Sequence, residues 1–364
     1  RVLIFKDHHV SCKGQVWDSS AQLPVEIATR YDGCGWQGQC DPRIKPPPSE
    51  PGFKDAIVVL TQPQWGAYYH FVIDAMSRLY WVMDQYPEVV ADENTFFHTG
   101  MANSIGQTWA RLVGIKTSEE NSRLLEGWWK AKKLYFPPSN KCADMRQGAQ
   151  VKAIRWMRQT LVDNQELAAA AAVAAAPTQK VVLLVHRDPR KSKRRAITNI
   201  EDLVEEVKKD LPDWKLELFS DYPTSPSIVE TCLAFRRADL IVGMHGAGFA
   251  NLVCARPGVP VIEFQKTHGG YDYEILTVKL DMPYVGFRSA AGSDDPSPIA
   301  PNCLGSALRC AMRFINGQDA SCANVSHYNN GKVCNSTWDP FPLPEGFPLI
   351  TVTAAPALAP AAER

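Results

Sequence analysis

The stretch IVGMHGAGFANLVCARPGVPVIEF, residues 241–264, sets one histidine and a run of small residues between two apolar segments. Histidine donates and accepts hydrogen bonds near neutral pH, and glycine lets a ligand reach the backbone with no Cβ in the way. At the carboxyl end of a buried strand this combination suits an anion, because the following helix start presents unpaired N–H groups and a positive dipole end. His245, Gly246, Ala247 and Gly248 are the candidate contacts, with Asn251 either capping the next turn or touching the ligand. The same residues also describe a plain strand-to-helix turn, since HGAG is not the spaced GxGxxG of dinucleotide sites. Glu263 closes the next strand, where a carboxylate either accepts both hydroxyls of a ribose or stands as a solvated strand-end charge. The loop RDPRKSKRR shares that sheet edge, and Arg187, Arg194 and Arg195 are candidates to neutralise a diphosphate by bidentate contact rather than form a merely solvated face.

A second constellation lies earlier. His70 and Asp74 are one helical turn apart, on a face that continues to Arg78. A carboxylate that orients an imidazole fixes its tautomer and raises its basicity, as a general base for a hydroxyl proton requires. The alternative is a helix-start histidine bonded to its neighbour for structural reasons. Trp65, Tyr68 and Tyr69 offer flat surfaces on which sugars stack, or else core packing.

The elements that must position these groups follow from periodicity. DAIVVLTQ (55–62) reads as a buried strand, and HFVIDAMSRLYWVMDQY (70–86) as an amphipathic helix with Phe71, Ala75, Leu79 and Val82 at helical spacing. VKAIRWMRQTLVDNQEL is another helix, running into an alanine tract that ends at Pro177 and serves either as a helical extension or as a connector. Beyond it, continuous apolar strands (KVVLLVH, WKLELF, LIVGMH, VPVIEF) alternate with amphipathic helices, the pattern of a parallel sheet covered on both faces. Asn199 is the expected N-cap of the helix NIEDLVEEVKKDL.

A chain of 364 residues is expected to hold two domains, divided at the alanine tract: 1–176, 177–345 with a Cys-rich end, and a low-complexity tail, 346–364. Lys plus Arg (39) balance Asp plus Glu (39), which removes the broad field of a nucleic-acid binder and makes any anion site local. No window is long and apolar enough to span a membrane. The start at Arg1 is expected to be a processing boundary, with any membrane attachment through a segment absent from this sequence. The ten cysteines include no CxxC, so disulfides are the better reading, with Cys34–Cys40 the local pair and Cys303, Cys310, Cys322 and Cys334 pairing among themselves. The sequons at Asn324 and Asn335 lie in the same tail and point with the cysteines to a lumenal or extracellular protein.

YYHFVIDAMSRL, then Arg187, Arg195 and Asn199 around RAITNIEDL, then ADLIVGMHGAGFANLVCARPGVPVIE resemble the three signature blocks of glycosyltransferase family 61, in order, over roughly residues 55–290. The family includes plant xylosyl- and arabinosyltransferases and lumenal O-GlcNAc transferases. The resemblance implies an α/β GT-B fold of two Rossmann-like domains facing a cleft, an inverting mechanism, a UDP-sugar co-substrate, no metal or other cofactor, and a glycan or glycoprotein acceptor in the lumen of the Golgi or endoplasmic reticulum. It implies the donor diphosphate at Arg187 and His245–Gly248, with Arg195 and Asn199 in that pocket, Glu263 near the ribose, and His70 and Asp74 on the acceptor side as the catalytic pair. Thr231 stands where the family commonly has Gln, so no long side chain is expected there. No strand-flanked DxD is present; DYE at Asp272 and SDD ending at Asp295 come nearest. The plant-type members favour xylose or another pentose, with UDP-N-acetylglucosamine the alternative donor. A non-catalytic glycan-binding domain of the same fold would have broken phosphate-site residues, and these are intact. A dinucleotide oxidoreductase would need a GxGxxG after the first strand of the second half, where the chain has its basic loop instead.

Overall fold

The chain forms two sheets with helices packed on them. The computed structural model describes residues 1–11, 14–18, 20, 23–25, 49–62, 66–118, 120–138, 148–173, 179–190, 196–220, 225–266, 272–289, 298–299 and 301–316. The first sheet comprises β1 (Leu3–Val10), β2 (Val16–Asp18), β3 (Leu23–Pro24), β4 (Gly52–Val59), β5 (Thr95–His98), β6 (Leu124–Leu125) and β7 (Trp129–Phe136). Its order is β3-β2-β1-β7-β4-β5-β6, and it is mixed: β4 runs parallel to β5 and β7, while β1 is antiparallel to β2 and β7. The second comprises β8 (Val181–His186), β9 (Lys215–Ser220), β10 (Leu240–Met244), β11 (Val261–Lys266) and β12 (Tyr284–Ser289), ordered β12-β11-β10-β8-β9 with every pairing parallel. The helices are α1 (Leu79–Gln85), α2 (Pro87–Ala91), α3 (Ser104–Leu112), α4 (Gly148–Asp163), α5 (Gln165–Val173), α6 (Ile200–Asp210), α7 (Ile228–Arg237), α8 (Asp272–Lys279) and α9 (Pro301–Ile315).

The apolar strands of the second sheet bury both faces because their neighbours alternate. Val182, Leu184, Val242 and Ile262 pack against α6 and α9, whereas Leu183, Val185, Ile241 and Val261 face α7 and the segment after β10. The latter cluster continues without a break into Phe71, Ile73, Met76 and Trp109, so one apolar core runs through both halves of the chain. The alanine tract is helical as far as Val173 in α5.

The helix expected over 70–86 keeps its apolar face but changes its hydrogen bonding. Residues His70–Ala75 form a π-helical turn and Met76–Arg78 a 3-10 turn before α1 begins. Side chains intrude on the i→i−4 ladder here: Gln62 Nε2 donates to Asp74 O at 2.7 Å, and Ser77 Oγ donates to Ile73 O at 2.6 Å. Arg78 locks the far end. Its buried guanidinium donates to the carbonyls of Leu60 and Thr61 after β4 and of Pro137 and Pro138 after β7, at 2.5–3.1 Å. The segment carrying His70 and Asp74 is thereby fixed to the carboxyl edge of the first sheet.

Thr61 also meets a buried histidine. His98, at the end of β5, places Nε2 2.9 Å from Gly127 O and Nδ1 2.5 Å from the Thr61 hydroxyl. Burial pushes this imidazole down from 6.5 to about 4, against the stabilising bond to Gly127. As the pH falls through that window the unfolded chain takes up a proton that the folded one refuses. Its share of stability is therefore complete above the unfolded value and is lost toward the folded one, an expected decline of about 3 kcal/mol at roughly 1.4 kcal/mol per pH unit. Urea titrations across this range check it: His98→Asn, which does not titrate, should flatten that part of the profile, and an unaltered slope contradicts the assignment.

Candidate active site

In order of appearance the strands of the second sheet lie 2-1-3-4-5, so the chain reverses its winding direction between β8 and β10, the place where open α/β sheets bind ligands at the strands' carboxyl ends. Glycine brings these two strands close: a Cβ on Gly243 would lie 2.7 Å from Val185 O. Beyond β10, a Cβ on Gly248 would stand 3.2 Å from Val185 Cγ1, and one on Gly246 would stand 3.5 Å from Arg187 Nη2. Arg187 therefore lies against the HGAG turn, although 58 positions separate Arg187 from His245 in the chain.

After the turn, the chain forms a 3-10 segment, Ala247–Cys254, whose N-cap Gly246 makes no side-chain capping bond. Its N-terminal end offers amides and a positive partial charge toward Arg187. The other end is pinned by a disulfide from Cys254 to Cys232 of α7. This pairing has no local signal in the sequence, because the two cysteines meet only when α7 packs on the 3-10 segment. Cys303 and Cys310 are also disulfide-bonded. Cys34, Cys40, Cys322, Cys334, Asn324 and Asn335 lie outside the described residues, as do Trp65, Arg194, Arg195 and Asp221, the acid following the strand WKLELF that is the sequence's next candidate base after His70 and Asp74.

His245 donates from Nδ1 to Glu263 Oε1 at 2.6 Å. Glu263 is completely buried, and its Oε2 accepts from the Tyr284 hydroxyl. A solvated strand-end charge is not what the structure has, because the neighbours across the sheet turn the carboxylate inward. Asn251 caps locally, donating to Gly248 O at 2.8 Å, and its Oδ1 accepts from the Tyr68 hydroxyl at 2.6 Å. Tyr68 in turn accepts from Trp109 Nε1 at 3.2 Å, and burial pushes its phenol well above the usual range. This bond ties the HGAG segment to the start of the His70 turn. Asn199 occupies the cap position of α6, but its amide exchanges bonds with both backbone groups of Ile299, at 2.8 and 2.9 Å, and donates to Asp202 rather than capping. Arg190 is held by Asp188, whose carboxyl it depresses to about 2. Thr231 is buried in α7.

On the other side, His70 Nδ1 lies 2.7 Å from Asp74 Oδ2, with Asp74 buried and the imidazole 16% exposed. Burial raises the Asp74 carboxyl and the bond to His70 opposes that rise. A chain of rings joins the two histidines: Tyr69 is edge-on to His70, Tyr273 of α8 is edge-on to Tyr69, and His245 is edge-on to Tyr273, at 5.1–5.4 Å between centroids. Two histidine–carboxylate pairs thus flank one aromatic seam, one on each half of the chain. Tyr284 carries no motif and Tyr273 enters the sequence reading only as the middle of DYE, so neither is given a role there. Among the described residues no group of three or more His, Cys, Asp or Glu side chains is arranged to hold a metal ion, and no helix is long and apolar enough to cross a membrane.

A family model described as Glycosyltransferase 61 matches residues 68–262, more than half of the chain. The match takes in His70, Asp74, Arg187 and the HGAG turn, and ends one residue before Glu263. No curated protein matches the sequence. Among solved structures, a mutant flavo di-iron protein from Thermotoga maritima is similar at 11% identity with a TM-score of 0.28, over 51% of this chain and 43% of that one, a likeness too slight to carry an argument.

Proposed function

This chain belongs to glycosyltransferase family 61, and from that premise we propose that it transfers a sugar from a UDP-sugar to a hydroxyl of a glycan or glycoprotein, with inversion and without a metal. The observation that carries the reading is the approach of Arg187 to the HGAG turn at the point where the sheet changes winding direction. Guanidinium, imidazole and helix-start amides there replace a metal as counter-charge to the diphosphate, and they act where negative charge builds as UDP leaves. His70, oriented by Asp74, takes the acceptor's proton as its hydroxyl attacks from the opposite side. Arg194 and Arg195 belong to the same donor loop in this reading. Glu263 enters through His245.

The two halves, 1–176 and 177–345, act as the acceptor and donor domains of a GT-B arrangement in the lumen of the secretory pathway, and the donor is UDP-xylose or another UDP-pentose. A thermal-shift panel of UDP, UDP-xylose, UDP-arabinose and UDP-N-acetylglucosamine tests this. A ligand at a hundredfold its dissociation constant stabilises the native state by about 2.7 kcal/mol. The UDP-pentoses should give the largest shift. A larger shift with UDP-N-acetylglucosamine reassigns the donor, and no shift with any uridine nucleotide sinks the reading.

A further inference from the structure

Glu263 has a glycine directly across from it on both neighbouring strands, Gly243 on β10 and Gly286 on β12. Side chains in register on parallel strands share a face, so both glycines clear space beside the carboxylate. His245 follows Gly243 by two residues and Tyr284 precedes Gly286 by two, which puts both on that same face, leaning in from opposite directions. The clearance at β12 is specific: a Cβ on Gly286 would lie 2.9 Å from both Cε1 and the hydroxyl oxygen of Tyr284, so the phenol ring occupies the place of the missing side chain. At β10 the corresponding space is filled by Val185 and by Phe249, whose Cζ would stand 3.2 Å from a Cβ on Gly243.

The carboxylate is an acceptor only. Its bond to Nδ1 therefore assigns the proton to that nitrogen and leaves Nε2, on the far side of the ring, as the nitrogen available to a ligand. We infer that Glu263 and Tyr284 are positioning residues for the donor site: the Tyr284 hydroxyl holds Glu263, and Glu263 accepts from His245 Nδ1–H, so that Nε2 faces the diphosphate and, carrying the second proton of an imidazolium when the anion is bound, donates to it. This rests on the reading of His245 as a diphosphate contact. Glycine at 286 is part of the device, because any side chain there drives the phenol away.

The test uses the full chain carrying 15N-labelled histidine, with UDP affinity measured by calorimetry and the His245 tautomer read from its ring nitrogen shifts. Wild-type protein should show Nδ1–H before UDP is added and both ring nitrogens protonated with UDP bound. Tyr284→Phe and Gly286→Ala should each weaken UDP binding several-fold, and Glu263→Gln about tenfold, the loss expected when a bond to a charged acceptor goes. Each should also erode the Nδ1–H signature, which a merely structural substitution would not change. Tyr284→Phe removes one oxygen from a partly exposed residue and carries the test if Glu263→Gln fails to fold. Unchanged affinity and tautomer in Tyr284→Phe, beside a loss in His245→Ala, overturn the inference and leave the donor site standing. Wild-type affinity in His245→Ala overturns the donor-site reading, and the inference falls with it.

Discussion

Alanine in place of His70 lowers turnover at least about a hundredfold, the loss expected when a general base is removed, while UDP affinity stays nearly unchanged. The argument is geometric. Inverting transfer needs a base on the side of the acceptor, and His70 sits on a turn anchored to the first sheet by Gln62 and Arg78, across the Tyr69–Tyr273 seam from His245. Asp74 is buried at 2.7 Å from Nδ1, so the imidazole cannot swing without breaking that bond. Asp74→Asn should produce a loss of similar order, because the amide keeps the shape of the contact and removes the charge that makes the ring basic; the two effects are not additive, since each group sets the other's protonation. Steady-state turnover beside calorimetric UDP affinity separates this from damage to the donor site. If both variants keep wild-type turnover, the pair is structural and the base must be sought elsewhere, with Asp221 the next candidate.

Arg187→Ala abolishes most UDP binding, with an expected loss of about tenfold to a hundredfold for a bidentate, charge-assisted contact, whereas EDTA leaves the wild-type affinity as it was. Arg187 lies against Gly246 at the HGAG turn, where in the proposed donor site its guanidinium would reach two phosphate oxygens from a fixed plane. Arg187→Lys should recover only part of the loss, since an ammonium supplies the charge without the fork. Calorimetry with and without chelator decides the matter. Loss of binding in EDTA, restored by manganese, would refute the counter-charge argument whatever Arg187→Ala does.

Local pattern was enough to locate the parallel strands, the amphipathic helices between them and the HGAG turn at a strand's carboxyl end, because side-chain period and glycine placement act over a few residues. The i, i+4 pairing of His70 with Asp74 was legible for the same reason: any helical turn there, whether α or widened to π, brings those positions together. The three family blocks were equally visible, since each spans only a short stretch of chain. What lay beyond the sequence depended on which distant strands become neighbours. Glu263 reads as a strand-end charge until β10 and β12 flank it with Gly243 and Gly286, at which point desolvation obliges it to take the donors offered by His245 and Tyr284. Cys232 and Cys254 have no partner that spacing can name until α7 packs on the 3-10 segment. Asn251 reads as a cap or a ligand contact until Tyr68, 183 residues away, brings it a hydroxyl. The widening of the His70 turn likewise goes with Gln62, on the segment after β4, whose bond to Asp74 O periodicity does not announce. Periodicity reports which face of an element is buried, but a buried polar group takes its partner from the other elements on that face, and strand order and helix packing alone decide which elements those are.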